Sequence, residues 1–308
     1  MSVTIRPMKP VKVASLDELK GLKFPCVASR KIDGVRCMMY GAIARPTAMS
    51  SRGKPHASAY VQRQFSRYWM YGFDGELSRG DPTDPVSFRE TVSCVRTNGS
   101  MDYVKYLVFD WFGNPEMPFM QRLVKLGHAY TQLKNSGQSA GVELIEQMLV
   151  HSLEEVEALE EQFVSEGYEG IILRDPNAPY KQGRSTLREG GMIALKRSAL
   201  LTGKIVQVNQ LMKNDNPIVL DEFGLAKRST SKANQIPQEQ MGSLTIEWDD
   251  KTFNVGTGFT EEDRILFWAI RDRLIGQTAK VKYFGFGGYD NPRCPRWNGL
   301  TDERSVLE

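Results

Sequence analysis

The chain has 308 residues, more than one average domain and fewer than three, so two globular units are expected. It is 41% hydrophobic, 25% charged and 10% aromatic, which excludes a compositionally disordered protein and leaves enough apolar material for a core. Against 37 Asp and Glu stand 40 Lys and Arg, a net charge of +3 that neither demands nor excludes a polyanionic partner; any nucleic-acid face must come from local clustering.

Cys26, Cys37, Cys94 and Cys294 are far apart and form no C-x-x-C pair, so reduced thiols in a cytosol are expected rather than a zinc site or a disulfide framework. The start, Met1-Ser2-Val3-Thr4-Ile5-Arg6-Pro7, has no apolar h-region, and no run approaches the roughly 18 apolar residues of a membrane span. Neither export nor membrane insertion is expected. His56, His128 and His151 stand alone, without metal or triad spacing, and no chemistry is assigned to them.

In chain order, Ser15-Leu16-Asp17-Glu18 is a capping box that opens a short helix closed by Gly21, and a buried strand over Cys26-Val27-Ala28 follows. Ser29 to Arg36 reads as a polar turn around Asp33-Gly34, and Val35 to Tyr40 as the second strand of a hairpin, which puts Lys31 on a loop between strands. Short apolar runs flanked by charge at 73–77, 106–110, 170–173 and 192–196 predict buried strands. Between them the spacing predicts two helices. One runs from about Phe119 to Gly137 with Leu123, Leu126, Tyr130 and Leu133 as its stripe. The other runs from Ser152, in a capping box with Glu155, to Gly167, with Leu153, Val156, Leu159 and Phe163 on one face. Beyond Leu200 alternation at 204–208, 243–248 and 280–284 predicts strands, interrupted by a helix from Thr260 through Asp263 to Gly276. One helix among about five short strands is the outline of an OB-fold barrel, so the domains are expected to be 1–200 and 201–308.

Ser29-Arg30-Lys31-Ile32-Asp33-Gly34-Val35-Arg36 contains K-x-D-G-x-R. A lysine amine attacks phosphorus only when deprotonated, and lysine, unlike arginine, gives up its proton under desolvation or beside other cations. Lys31 is the candidate nucleophile, Arg36 a neighbouring cation able to grip ribose or phosphate, Gly34 the residue that lets the backbone turn tightly, and Asp33 the fixer of that turn. Read alone, the string is more often a surface turn with a solvated lysine. It resembles the adenylation signature of the covalent nucleotidyltransferases, and a collinear series of motifs in the rest of the chain resembles the ATP-dependent DNA ligases of small bacteriophage type.

Ser51-Arg52-Gly53-Lys54 resembles the second ligase motif, where a basic loop meets nucleic-acid backbone or nucleotide phosphate. Asp74-Gly75-Glu76-Leu77 resembles the third, which places Glu76 near the ribose and the metal. Phe109 matches the aromatic that stacks on the purine. Glu169-Gly170-Ile171-Ile172-Leu173-Arg174 is similar to the fourth motif, whose glutamate helps hold a divalent cation. Leu195-Lys196-Arg197 resembles the fifth, where Lys196 would bind the α-phosphate. Position 198 is Ser, so the usual K-x-K fails and either Arg197 or Lys204 stands in for the second lysine. The last motif, R-x-D-K, is degraded at Thr301-Asp302-Glu303-Arg304, which leaves Arg293, Arg296 or Arg304 as open choices for orienting pyrophosphate. Gly256-Thr257-Gly258-Phe259-Thr260 resembles an OB-domain signature of DNA ligases.

The resemblance implies an α+β adenylation (nucleotidyltransferase) domain with antiparallel sheets flanked by helices, followed by a C-terminal OB-fold β-barrel. It implies a nucleotide site of Ser29, Arg30, Lys31, Arg36, Arg52, Glu76, Phe109 and Lys196, and a metal held by Glu76 and Glu169. ATP would be the AMP donor, with Mg2+ or Mn2+, and the reaction the sealing of 5′-phosphate/3′-hydroxyl nicks in double-stranded DNA by a monomer in the cytoplasm of a phage host. Arg52 and Lys54 would contact the DNA, and so would Lys213, Lys227, Arg228 and Lys232 of the 212–238 segment, which reads equally well as a DNA-touching loop or a mobile surface loop. Lys31 comes so early that no separate N-terminal DNA-binding domain is expected. An mRNA capping guanylyltransferase would share the lysine loop and the OB domain but draw on GTP, and an RNA ligase commonly lacks this OB domain. A non-catalytic single-strand binder of OB type would need none of Lys31, Glu76, Glu169 and Lys196.

Overall fold

The computed structural model describes residues 6–220, 226–229, 231–286 and 291–302, and leaves the side chains of residues 220, 226 and 227 undescribed. The chain forms two compact units, Met1–Arg197 and Ser198–Glu308.

The first unit carries strands β1 (Met8–Lys9), β2 (Val11–Val13), β3 (Cys26–Arg30), β4 (Val35–Ala42), β5 (Arg45–Met49), β6 (Phe73–Ser78) and β7 (Lys105–Trp111). It continues with β8 (Val142–Leu144), β9 (Met148–Val150), β10 (Ile171–Arg174), β11 (Gly183–Arg184) and β12 (Ile193–Leu195). Helices α1 (Ala59–Phe65), α2 (Ser87–Arg96), α3 (Phe119–Asn135) and α4 (Leu153–Ser165) lie between them.

Two five-stranded sheets result, ordered β2-β12-β10-β3-β9 and β5-β4-β6-β7-β8. Each is antiparallel except at one edge, where β2 runs parallel to β12 and β8 parallel to β7. Strand periodicity sorts their side chains. In the first sheet Ile171, Leu173, Ile193 and Leu195 point to the core that α4 covers with Val156 and Phe163. Ile172 and Ala194 point the other way, into a cluster with Met38 and Phe112 of the second sheet's side and with Phe109 at its margin. The far face of the second sheet is covered by α1, α2 and α3, the last through Leu126 and Leu133 with Leu123 and Tyr130 beside them.

The structure corrects one local expectation that matters for the site. β3 and β4 are not a hairpin: β3 pairs with β9 and β10, whereas β4 pairs with β5 and β6 in the other sheet. Residues 31–34 are the crossing between sheets. The Lys31 amide donates to the Gly170 carbonyl (2.9 Å) and the Glu169 amide to the Lys31 carbonyl (3.2 Å), so the β3–β10 ladder runs on to Lys31. Ser29 and Arg30 lie on β3 rather than in a turn. Gly34 is required because the crossing chain passes against β6: a Cβ there would sit 2.6 Å from the Leu77 carbonyl oxygen and 2.8 Å from the Glu76 Cβ.

Local signals elsewhere act as read, with adjustments. The Ser15 turn is a 3-10 helix, with the Ser15 amide donating to Glu18 at 3.2 Å. Ser152 caps α4 by accepting from the Glu155 amide at 3.2 Å, and the Glu155 carboxylate accepts from the His151 amide at 2.9 Å. Among the described residues no helix is long and apolar enough to cross a membrane. Cys26, Cys37 and Cys94 are buried thiols and Cys294 is exposed.

The second unit carries β13 (Ala199–Asn214), β14 (Ile218–Leu220), β15 (Ala226–Arg228), β16 (Gln235–Trp248), β17 (Lys251–Val255), β18 (Thr278–Tyr283) and β19 (Arg296–Leu300). Its sheet order is β17-β16-β13-β18-β19, closed over Ile205, Leu244, Ile246, Val255, Leu274 and Val281 in the manner of an OB fold. The helix expected over 260–276 breaks at Ile270 into α5 (Glu261–Ala269) and α6 (Arg271–Leu274). The 212–238 segment is built as a ribbon: Met212, Lys213 and Asn214 pair with Pro237, Ile236 and Gln235, and β14 pairs with β15 at its tip. Its strands show no apolar alternation because here the ladder has no core to face, and that pattern reads as loop in the sequence.

Candidate active site

Strand β3 delivers Ser29, Arg30 and, at its extension, Lys31 to a cleft whose other walls are Arg36 from β4, Glu76 from β6 and Phe109 from β7. Pro10, Ile172, Arg174 and Met192 complete the lining. The Lys31 ammonium donates to Glu169, and Lys196 Nζ donates to the other oxygen of the same carboxylate at 2.6 Å. Burial works against the charge on Glu169, but the two ammonium groups outweigh it and hold the carboxyl at about 2. Glu169 is therefore a fixed anion that brackets two lysines. Gly170 makes this possible, since a Cβ at that position would lie 2.3 Å from the Leu195 carbonyl oxygen.

Arg36 is held in place from the opposite side. Its Nε and Nη2 each lie 2.6 Å from an Asp74 carboxylate oxygen, and Nη2 also donates to the Met8 carbonyl at 3.1 Å. Asp74 is fully buried and accepts a further bond from the Tyr180 hydroxyl at 2.6 Å. The cation that shares a carboxylate with Lys31 is accordingly Lys196, while the charge of Arg36 is balanced by Asp74. Glu76 lies 3.9 Å from Arg36 Nη1, and its Oε2 is buried without a hydrogen-bond partner. Burial pushes the Glu76 carboxyl up to about 7, against the pull of Arg36 and Lys31.

Phe109 presents its ring to two guanidinium groups, Arg36 at 4.7 Å and Arg174 at 5.4 Å from the centroid. Arg174 is itself fixed on Asp110, a fully buried carboxylate that also takes Nε and Nη2 of Arg122 at 2.8 and 3.0 Å. The Asp74–Tyr180 and Asp110–Arg122 supports were not anticipated from the sequence. The one available signal was Asp74, two residues before Glu76 and hence on the same strand face.

A family model described as ATP dependent DNA ligase domain matches residues 7–196, the unit that holds this cleft, and one described as DNA ligase OB-like domain matches residues 236–300. The chain belongs to the ATP-dependent DNA ligase family. It is similar to the Chlorella virus DNA ligase solved as its adenylate, at 27% identity over 98% of this chain and 99% of that one, with a TM-score of 0.55. A DNA ligase of the Lig E type shares the fold at 21% identity, covering 95% and 99% of the two chains, with a TM-score of 0.66. A DNA ligase of Methanosphaera stadtmanae is 25% identical over 208 residues, 59% of this chain and 36% of the relative. The chain thus spans little more than a third of that relative's length.

The other motif residues of the sequence lie away from the cleft's centre. Arg30 lines it, but its guanidinium donates to Glu146 (2.8 Å) and Glu166 (3.1 Å) and lies over the Phe163 ring. Arg52 and Lys54 belong to the turn after β5, and Arg52 lines a neighbouring hollow with His56 and Arg96 that touches the cleft through Arg36. Arg197 turns to α4, with Nε 2.9 Å from Glu160, so it does not serve as a second lysine in the cleft. Lys204 lies on β13 of the second unit.

On the ribbon, Lys213 and Lys232 are exposed, and Arg228 donates to the Asn214 and Asn216 carbonyls at 3.0 Å each. The Lys227 side chain and Arg304 lie outside the described residues.

Among the described residues no cluster of three or more His, Cys, Asp or Glu side chains is arranged to hold a metal ion. Glu76 and Glu169 nevertheless fit a magnesium ion shared with nucleotide phosphates, which keeps several waters and takes only one or two protein carboxylates. The orphaned, buried Glu76 Oε2 is the atom that calls for such a ligand.

Proposed function

We propose that this chain seals nicks in double-stranded DNA with ATP as the AMP donor. The observation that carries the reading is Lys31, held on the carboxylate of Glu169 beside Lys196 at the edge of a cleft that offers an aromatic face, apolar walls and fixed cations.

Phe109 would stack on the purine, with Ile172 and Met192 supplying apolar contact and Ser29 a buried hydroxyl. Arg36 would meet ribose and phosphate, and the free Oε2 of Glu76 would accept from a ribose hydroxyl or bind the metal. Lys196 is placed to take the charge that develops on the α-phosphate. The Lys31 ammonium gives its proton to solvent, since Glu169, held at about 2, orients it rather than accepting the proton. Nζ of Lys31 then bonds to the α-phosphorus and pyrophosphate leaves. The 5′-phosphate at the nick attacks that phosphorus, the N–P bond breaks and Lys31 is restored. The 3′-hydroxyl attacks the activated 5′-phosphorus, loses its proton, and AMP departs. Mg2+ or Mn2+, held by Glu76 and Glu169, would neutralise phosphate charge.

Arg52 and Lys54, with Lys213, Lys227, Arg228 and Lys232 of the ribbon, would contact DNA phosphates. A monomer in the cytoplasm of a phage host completes the reading; the free thiols bear on the reducing compartment alone, and the phage source on the likeness of the motifs.

Incubation with magnesium and α-labelled ATP or GTP, beside a Lys31→Ala variant, tests it. Label held by the denatured protein from ATP only, and absent in the variant, would establish the lysyl-AMP, and nicked duplex would then be sealed. Label from GTP would point to capping chemistry, and no label from either would sink the reading.

A further inference from the structure

Each lysine on Glu169 has an arginine as its chain neighbour, Arg30 before Lys31 and Arg197 after Lys196, and both arginines bind the same helix. Arg30 donates to Glu166 at the end of α4, at 3.1 Å, with its guanidinium 4.7 Å from the Phe163 ring centroid. Arg197 meets Glu160 at 2.9 Å and Glu157 at 3.4 Å, one turn apart on α4. Glu169 itself follows the end of α4 after three residues, Glu166, Gly167 and Tyr168. Each arginine thus ties the backbone beside a Glu169-bound lysine to α4, Arg30 from β3 and Arg197 from the segment that follows β12.

We propose that α4 is the positioning element of the lysine pair, and that Arg197 is the residue through which it fixes Lys196 against Glu169. The assignment rests on the ligase reading of the cleft. The Glu160 carboxylate is 2% exposed, and its Oε1 has no hydrogen-bond partner, so Arg197 is the charge that makes this acid tolerable where it is. An arginine fork can meet carboxylates from two turns of a helix at once, which a lysine ammonium does less rigidly. This arrangement also accounts for position 197 holding an arginine that never enters the cleft.

The test is the single-turnover transfer of label from α-labelled ATP to the protein, read as rate constant and KM for the wild type, Arg197→Ala, Arg197→Lys and the double variant Arg197→Ala with Glu160→Gln. In Arg197→Ala the rate at saturating ATP is expected to fall about tenfold or more, with KM for ATP moved by less than about threefold, because misplacement of a reacting group costs rate rather than binding. Arg197→Lys should recover part of the loss. The double variant removes the buried unpaired acid and should regain thermal stability while staying slow; it carries the test if Arg197→Ala does not fold. A rate within about twofold of wild type in Arg197→Ala, a loss confined to KM, or a rate that returns together with stability in the double variant would each overturn the assignment. A wild type that takes no label would remove the ligase reading instead, and this inference with it.

Discussion

Arg36 and Asp74 form a two-point ion pair in which Nε and Nη2 each lie 2.6 Å from a carboxylate oxygen and the aspartate is fully buried. Such a pair holds a guanidinium in one orientation, and breaking it from one side strands a charge. Asp74→Asn is therefore expected to cost about 3–5 kcal/mol, the usual penalty for an uncompensated buried charge. Tyr180→Phe, which removes only one bond to the same carboxylate, should cost about 1 kcal/mol. Urea unfolding of the two variants checks the ranking, and equal losses would contradict it.

Phe109→Ala should raise the KM for ATP by roughly ten- to a hundredfold, the equivalent of about 1–3 kcal/mol of base stacking. The rate of label uptake at saturating ATP should change much less, because stacking binds ground and transition states alike. A lowered rate with KM unmoved would place Phe109 in the core rather than against the base.

Lys31→Arg keeps the positive charge on Glu169 and should leave the melting temperature within a few degrees of wild type. Label uptake should vanish, since a guanidinium does not give up its proton. Uptake retained on the variant at another residue would show that Lys31 is not the nucleophile.

His56 is buried, and its Nε2 lies 3.1 Å from the Arg36 carbonyl, where the neutral ring can donate. Burial lowers its pKa below the ordinary 6.5. A histidine held neutral contributes stability that is present above the unfolded pKa and is lost as pH falls from 6.5 toward the folded value. The melting temperature of the wild type should thus drop faster than that of His56→Gln between pH 7 and pH 5. Parallel curves would show that His56 is not the group responsible.

On the ribbon, Lys213→Ala and Lys232→Ala should each weaken binding of a nicked duplex and reduce the slope of log K against log salt by about 0.9. A weakened affinity with an unchanged slope would mean that neither side chain meets a phosphate.

Much of this fold was legible as periodicity. Ile171, Leu173, Ile193 and Leu195 announce buried strands, and Val156 and Phe163 mark the face that α4 lays on them. The pattern cannot name strand partners, however, and so Cys26–Ala28 and Val35–Tyr40 looked like a hairpin although they belong to different sheets. Ile270 broke a helix whose stripe continues through it, because α6 turns to bury Leu274. In the cleft, Lys31, Glu169 and Lys196 were visible as separate motifs, and the structure brings both lysines onto the carboxylate of Glu169. Arg197 was not separable by sequence from a cleft residue: an arginine beside a motif lysine can face either way, and only Glu157 and Glu160 of α4 decide which. The supports on Asp74 and Asp110 depend on burial and on partners such as Tyr180 and Arg174, which no local window contains.

The four thiols described above differ in more than location. Burial pushes Cys26 up to about 12 and Cys37 well above its ordinary value, and Cys94 is shielded, whereas Cys294 stands at the surface next to β19. A maleimide dye at neutral pH would accordingly couple once, to the second unit, without replacing any native residue. The protein thus carries its own attachment point for a fluorescent reporter on the unit that does not hold Lys31.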